Sequence, residues 1–291
     1  MLQKAQPLVS VLIPAYKASL LIEGAIASVL EQGHPAVEIL VAPDDGQDYS
    51  RLAHRYREVK VIPSAAVRSG PGAARNRALY EAKGDFITVL DHDDLWQPGY
   101  LGALLEQAER RGLAFGRSNP VDQDLQPIRV PPMEASLDIE RFAIAACSVR
   151  PMAHRSLEVA YYDFLSEDTL HAATLLARHG PSPVVPFGYC QVVSPTSTAA
   201  STKEGVFQDT YLRLAKLARD NPRAIGLDAV GRAGRERVAR LFEYRLEVSR
   251  RFQDAGVQSF ERWIAGKELS LANDIWEKHG HPRVHEVAAA S

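Results

Sequence analysis

Cysteine is scarce in this 291-residue chain. Cys147 and Cys190 are the only two, with no CxxC spacing, which leaves no disulfide framework and no zinc–cysteine site. Long apolar runs are missing as well. The stretch Val9 to Pro14 is too short to span a bilayer or to form the apolar region of a signal peptide. Neither sign of charge dominates: 34 Lys and Arg against 36 Asp and Glu give a net charge of -2. That balance argues against a nucleic-acid partner and against an acidic solvating tail. There is no internal repeat and no low-complexity tract. What is present is 46% hydrophobic and 24% charged sequence, enough to bury a core. The expectation is a globular, cytoplasmic protein, free or peripherally attached at the inner face of a membrane.

The first third alternates between two periods. Val9 to Ile13 reads as a buried strand stopped by Pro14. Ile22, Ala25, Ile26, Val29 and Leu30 then fall at helical spacing. Glu38 to Ala42, Val59 to Ile62 and Phe86 to Leu90 read as further strands. Helices are expected after Asp48, over Ala73 to Lys83 with Gly84 as the stop, and over Tyr100 to Arg111. Such alternation predicts right-handed βαβ units, a mostly parallel sheet flanked by helices, and ligands at the carboxyl ends of the strands. The middle, about 113–200, is proline-rich and less regular, with helical pieces at 137–147 and 166–179. The end, 205–278, is strongly helical.

Chemistry concentrates at the strand ends. Asp91, His92, Asp93 and Asp94 follow the fourth strand, three carboxylates within four residues. Their mutual repulsion is relieved by a cation, and an all-oxygen set suits Mn2+ or Mg2+. A solvated acidic turn is the competing reading. Asp44-Asp45-Gly46 ends the second strand, where a carboxylate can accept from a base or ribose, or simply make a turn. Gly70-Pro-Gly-Ala-Ala-Arg75 opens a helix. Arg75 stands where a dinucleotide fingerprint needs its last glycine, so a Rossmann cofactor site is rejected. Small residues there still admit a phosphate, and Arg75 can pair with it.

In this order, Val9-Ser-Val-Leu-Ile-Pro-Ala-Tyr16, Ser28-Val-Leu-Glu-Gln32, Asp44-Asp45-Gly46, Gly72-Ala-Ala-Arg-Asn-Arg77, Gly84-Asp-Phe-Ile87 and Leu90-Asp-His-Asp-Asp94 resemble the family 2 glycosyltransferases of GT-A fold. The resemblance runs from Val9 to about Arg111. It implies a Rossmann-like domain over 1–204, with a nucleotide-sugar half at 1–112 and an acceptor half at 113–204. A helical C-terminal extension at 205–291 would follow. It also implies a nucleotide-diphosphate sugar donor, a UDP-sugar by preference, a saccharide or other hydroxyl acceptor, and inversion at the anomeric carbon. By position, Pro14, Ala15 and Tyr16 line the nucleoside pocket, Asp45 or Asp44 meets the base, and Arg75, Asp91, His92 and Asp93 lie on the nucleotide. Asp93 or Asp94 is the direct metal ligand, with Asp91 beside it. Lys17, Pro43 and Gln47 depart from the family's usual residues around that pocket.

The family's catalytic base is a carboxylate in the second half, often in a Glu-Asp pair. Ser166-Glu167-Asp168-Thr169 fits, with Asp168 as base and Glu167 second, although Ser166 and the two acids would equally suit a helix cap. Gly188 to Thr202 is a candidate lid. His154 and His171 flank the pair as candidate diphosphate or metal contacts, with polar-surface or core roles competing. His279, His281 and His285 suggest a metal less well than a solvated tail. The basic helix 232–252 offers a peripheral membrane contact or a homodimer face, but Glu236, Glu243 and Glu247 favour a solvated helix. A sugar-nucleotide pyrophosphorylase and a non-catalytic nucleotide-binding scaffold are the competing functions.

Overall fold

The computed structural model describes residues 6–64, 67–157, 159–194 and 204–278. His279, His281, His285 and the 195–202 part of the candidate lid lie outside the described residues.

The strands are β1 (Val9–Ala15), β2 (Val37–Pro43), β3 (Val59–Val61), β4 (Phe86–Val89), β5 (Leu95–Trp96), β6 (Leu113–Val121), β7 (Ser136–Leu137), β8 (Val149–His154) and β9 (Ser182–Val192). They form one sheet in the order β3-β2-β1-β4-β8-β6-β9-β5, with β7 pairing β9 off the path. The run β3-β2-β1-β4 is parallel, as is β6 with β9, while β8 is antiparallel to both β4 and β6. The helices are α1 (Ile22–Leu30), α2 (Ser50–Arg55), α3 (Pro71–Glu81), α4 (Tyr100–Arg111), α5 (Ile139–Ala145), α6 (Glu167–His179), α7 (Glu204–Asp220), α8 (Arg232–Asp254), α9 (Phe260–Ile264) and α10 (Glu268–Lys278).

Side chains alternate across a strand, so β1 feeds two layers. Val9, Val11 and Ile13 pack with Ile22, Ile26, Leu101 and Leu104 of α1 and α4. Leu12 faces the other way, onto Ala74 and Ala78 of α3. A third cluster joins Phe115, Phe142 and Leu175 to Leu241, Phe242 and Ile264. The helices beyond residue 204 thus share one core with the 113–192 region. Apolar burial of this kind is the dominant favourable term in folding.

Two local expectations are corrected. Pro14 does not stop β1, which continues to Ala15 with Pro14 opposite Ala42. Leu12 accepts the Leu90 N–H at 3.0 Å and is the last β1 residue paired with β4, so the N–H that Pro14 lacks would have met no strand. The middle of the chain carries strands as well as helices. Its prolines at 120, 151, 183 and 186 and the register shift between Gly116 and Ser118 conceal β6, β8 and β9 from a period-two reading.

Candidate active site

The carboxyl ends of β1, β2 and β4 and the start of α6 converge, and two buried arginines join them. Arg75, on α3, is 3% exposed. Its Nη2 lies 2.5 Å from Asp91 Oδ1, and its Nη1 donates to Glu167. Arg150, on β8, is also 3% exposed. Its Nη2 lies 2.8 Å from Asp91 Oδ2 and its Nη1 3.3 Å from Asp168 Oδ2, with Asp94 3.7 Å away. The Ser148 hydroxyl donates to the same Asp168 oxygen at 2.8 Å. Asp91 is therefore held by one guanidinium on each oxygen. Gly72 permits the approach of α3 to α6, since a Cβ there would stand 3.1 Å from Glu167 Cγ and 3.4 Å from Tyr161 Cβ.

The electrostatics follow from burial and pairing. Burial alone would raise the Asp91 carboxyl, but Arg150 and Arg75 outweigh it and hold it below the usual carboxylate range. Burial would likewise lower the Arg150 guanidinium, and Asp91 with its neighbours reverses that, keeping it charged. Glu167 is pushed up by burial against the opposing pull of Arg75. Asp93 is pushed up by burial and by the Asp91 charge. The His92 side chain and the Asp93 backbone N–H pull the other way.

Several expected roles meet a different placement. Arg75 was expected on the nucleotide, yet both its terminal nitrogens are committed to Asp91 and Glu167. Asp94 was expected as a metal ligand, yet it is buried, with Oδ2 accepting the Tyr189 hydroxyl at 2.8 Å and Oδ1 the Val192 N–H at 2.9 Å. Asp44 was expected at the base. Its oxygens accept from Ser69 at 2.5 Å and from the Gly70 N–H at 2.9 Å, and Arg77 stands 3.4 Å away. Ser166 sits at φ 64° and its side chain does not cap α6. The two acids of that first turn are drawn to the arginines instead.

Asp45, half-buried, accepts the Lys17 N–H at 2.6 Å and the Tyr49 hydroxyl at 3.0 Å, tying the β2 end to the β1 end. Pro14 and Ala15 are buried, whereas Tyr16 is exposed beside Lys17, whose ammonium lies 5.5 Å from the Tyr16 ring centroid. His92 is half-buried at the open side of the acidic run. His171 is buried, stacked on Tyr161 with centroids 3.9 Å apart and bonded to the Val159 carbonyl at 3.1 Å, a core position. His154 is exposed and bonded to Ser156 at 2.8 Å, at the opposite end of β8 from Arg150.

Arg150, Ser148 and Tyr189 are the site residues that sequence spacing did not reveal. The one available signal was an arginine inside the otherwise apolar run Val149-Arg-Pro-Met152. Among the described residues no group of three His, Cys, Asp or Glu side chains forms a metal cage. Mn2+ and Mg2+ do not require one, since they take one or two carboxylates and complete their shell with water and phosphate. Asp93, desolvated next to Asp91 and, among the described residues, without an arginine of its own, fits that requirement.

Residues 10–145 match the family model described as Glycosyl transferase family 2. Over that stretch, a little under half of its length, the chain is similar to the family 2 glycosyltransferases. Its fold is that of solved members of the GT-A class. It superimposes on Staphylococcus aureus TarS 1-349 in complex with UDP-GlcNAc with a TM-score of 0.67, at 18% identity, covering 93% of this chain and 81% of that one. Against the mannosyltransferase PcManGT from Pyrobaculum calidifontis, in complex with GDP-Man and Mn2+, the TM-score is 0.55 at 18% identity, covering 94% and 89%. In sequence it is 34% identical over 115 residues to the Escherichia coli UDP-Glc:alpha-D-GlcNAc-diphosphoundecaprenol beta-1,3-glucosyltransferase WfgD, covering 38% of this chain and 45% of that protein. The chain thus spans less than half the length of the curated relatives it matches. Among the described residues no helix is long and apolar enough to cross a membrane.

Proposed function

We propose that this chain transfers a sugar from a nucleotide-diphosphate sugar, a UDP-sugar by preference, to the hydroxyl of a saccharide acceptor, with inversion at the anomeric carbon. The observation that carries the reading is the convergence of the Asp91–Asp94 run with Asp168 through Arg150. A donor-side acidic segment and a candidate base from a distant helix are held in one site. WfgD and TarS, whose names and ligands are UDP sugars, favour the UDP donor and a saccharide-type acceptor.

Asp168 is the general base. Its side chain is more open than that of Glu167, 23% against 10% exposed. Ser148 and Arg150 fix Oδ2, leaving the carboxylate oriented to take the acceptor proton at hydrogen-bond range. The deprotonated oxygen attacks the anomeric carbon from the face opposite the leaving diphosphate, through an oxocarbenium-like transition state. Glu167 stays with Arg75 and completes the wall of the site. Pro14, Ala15, Tyr16 and Asp45 form the nucleoside side, and Asp91, His92 and Asp93 the ribose and diphosphate side. Asp93, with Asp91 alongside, would hold Mn2+ or Mg2+, which would supply Lewis-acid stabilisation of diphosphate charge.

The test is UDP release from UDP-glucose and UDP-N-acetylglucosamine with Mn2+ and a saccharide panel, for wild type and Asp168→Asn. Loss of turnover of about a hundredfold or more with nucleotide affinity kept is expected, the range a general base contributes. Wild-type levels in Asp168→Asn would remove the base assignment. Nucleotide binding without any turnover would favour the scaffold reading, and nucleotide-sugar synthesis from a nucleoside triphosphate the pyrophosphorylase.

A further inference from the structure

Arg150 is poorly explained as mere charge neutralisation. Asp91 already has Arg75 on one oxygen, and Asp94 is satisfied by Tyr189 and Val192. What Arg150 adds is a rigid bridge: one planar guanidinium spans Asp91 Oδ2 at 2.8 Å and Asp168 Oδ2 at 3.3 Å. These acids sit on segments that share no covalent neighbourhood, one after β4 and one on α6. The guanidinium carbon lies 5.0 Å from the Tyr189 ring centroid, so the plane is held from its face as well. The side chain is 4% exposed, which keeps it from serving as a substrate contact. β8 lies between β4 and β6, and Arg150 itself pairs with Gly116 of β6, which anchors its Cα on that side.

We propose that Arg150 is a positioning residue of the transfer reaction. It sets the distance and orientation of the Asp168 carboxylate relative to the donor segment at Asp91, acting through those two carboxylates and not on the substrate. This rests on the transferase reading above. A planar, forked cation is needed, because an ammonium on a flexible stem does not fix the relative geometry of two carboxylates. Misplacing a base by about an ångström costs on the order of a hundredfold in rate.

The test measures UDP release from UDP-glucose or UDP-N-acetylglucosamine with Mn2+ for wild type, Arg150→Ala, Arg150→Lys and Asp168→Asn. For Arg150→Ala, kcat falls by roughly a hundredfold while the donor KM moves less than about threefold, the pattern of a lost transition-state interaction. Guanidinium ion, at concentrations below denaturation, restores turnover to Arg150→Ala and not to Asp168→Asn. A purely structural arginine would show no such selective rescue. Arg150→Lys keeps the buried charge and the fold but loses kcat, which preserves the test if Arg150→Ala does not fold. Turnover in Arg150→Lys within about threefold of wild type overturns the proposal, as does a loss confined to donor KM. An inactive Asp168→Asn beside a fully active Arg150→Lys sinks this inference alone. A fully active Asp168→Asn removes the base assignment and this inference with it, whereas a wild type that releases no UDP sinks the transferase reading itself.

Discussion

Tyr189 donates its hydroxyl to Asp94 at 2.8 Å, and the same oxygen accepts the Asp91 backbone N–H at 3.2 Å. One phenol from β9 therefore braces both ends of the acidic run that follows β4. Burial and the nearby Asp91 charge push Asp94 well above its ordinary range, so it relies on such donors when ionised.

Tyr189→Phe removes the brace without changing the ring that packs on Arg150. The cost is about 1–3 kcal/mol, the range for leaving a buried polar group unsatisfied. A urea melt reads it as a lower midpoint at unchanged slope. An unshifted midpoint would mean that Asp94 finds another partner.

Asp93→Ala separates the donor segment's two duties. Burial outweighs the pull of His92 and of the Asp93 backbone N–H on the Asp93 carboxyl, so the fold should keep its stability or gain slightly from losing a desolvated carboxylate. Manganese-dependent stabilisation by UDP in a thermal-shift titration should shrink, because a ligand that binds only the folded state stabilises it in proportion to its affinity. Full retention of that shift would take Asp93 out of the metal shell.

Tyr49 gives a pH prediction with a fixed sign. Burial, together with its bond to Asp45, pushes its hydroxyl up to about 12. A raised folded value means the unfolded chain releases this proton first. Its contribution is complete below about pH 10 and is lost as the pH climbs toward 12. Tyr49→Phe should therefore flatten the alkaline limb of stability against pH. An identical limb in the variant would assign the loss to other tyrosines.

The C-terminal helices should not be removable. Val238, Leu241 and Phe242 of α8 lie in the cluster that holds Phe142 and Leu175. Arg245 donates to the carbonyls of Phe142 at 3.2 Å and Cys147 at 2.9 Å, next to Ser148 and Arg150. A chain ending at Asp220 would expose this apolar surface and leave those carbonyls without a partner. It should be recovered as aggregate or as a loosely packed species with low near-ultraviolet dichroism. A soluble, cooperatively melting truncation would show the helices to be an independent appendage.

The sequence by itself determined the first four strands, the helices between them, and the places where chemistry would gather. Those depend on local period and on turn chemistry, which a strand end or a glycine declares within a few residues. It also singled out Asp91, Asp93 and the Glu167-Asp168 pair as candidates, since clustered carboxylates are legible without a fold. Only the tertiary structure decided which charge meets which. Arg150, hidden in a proline-bearing strand, reaches Asp91 and Asp168 because β8 inserts between β4 and β6, an order that no spacing along the chain encodes. Arg75, Asp44 and Asp94, read from the sequence as candidate ligand contacts, each have internal partners that only the fold reveals. A buried charge must be paired, and its partner is whatever the sheet order brings within about 3 Å. The helices after residue 204 read as an extension for the same reason. Their amphipathic pattern announces a face to bury, but what covers it is settled only in three dimensions.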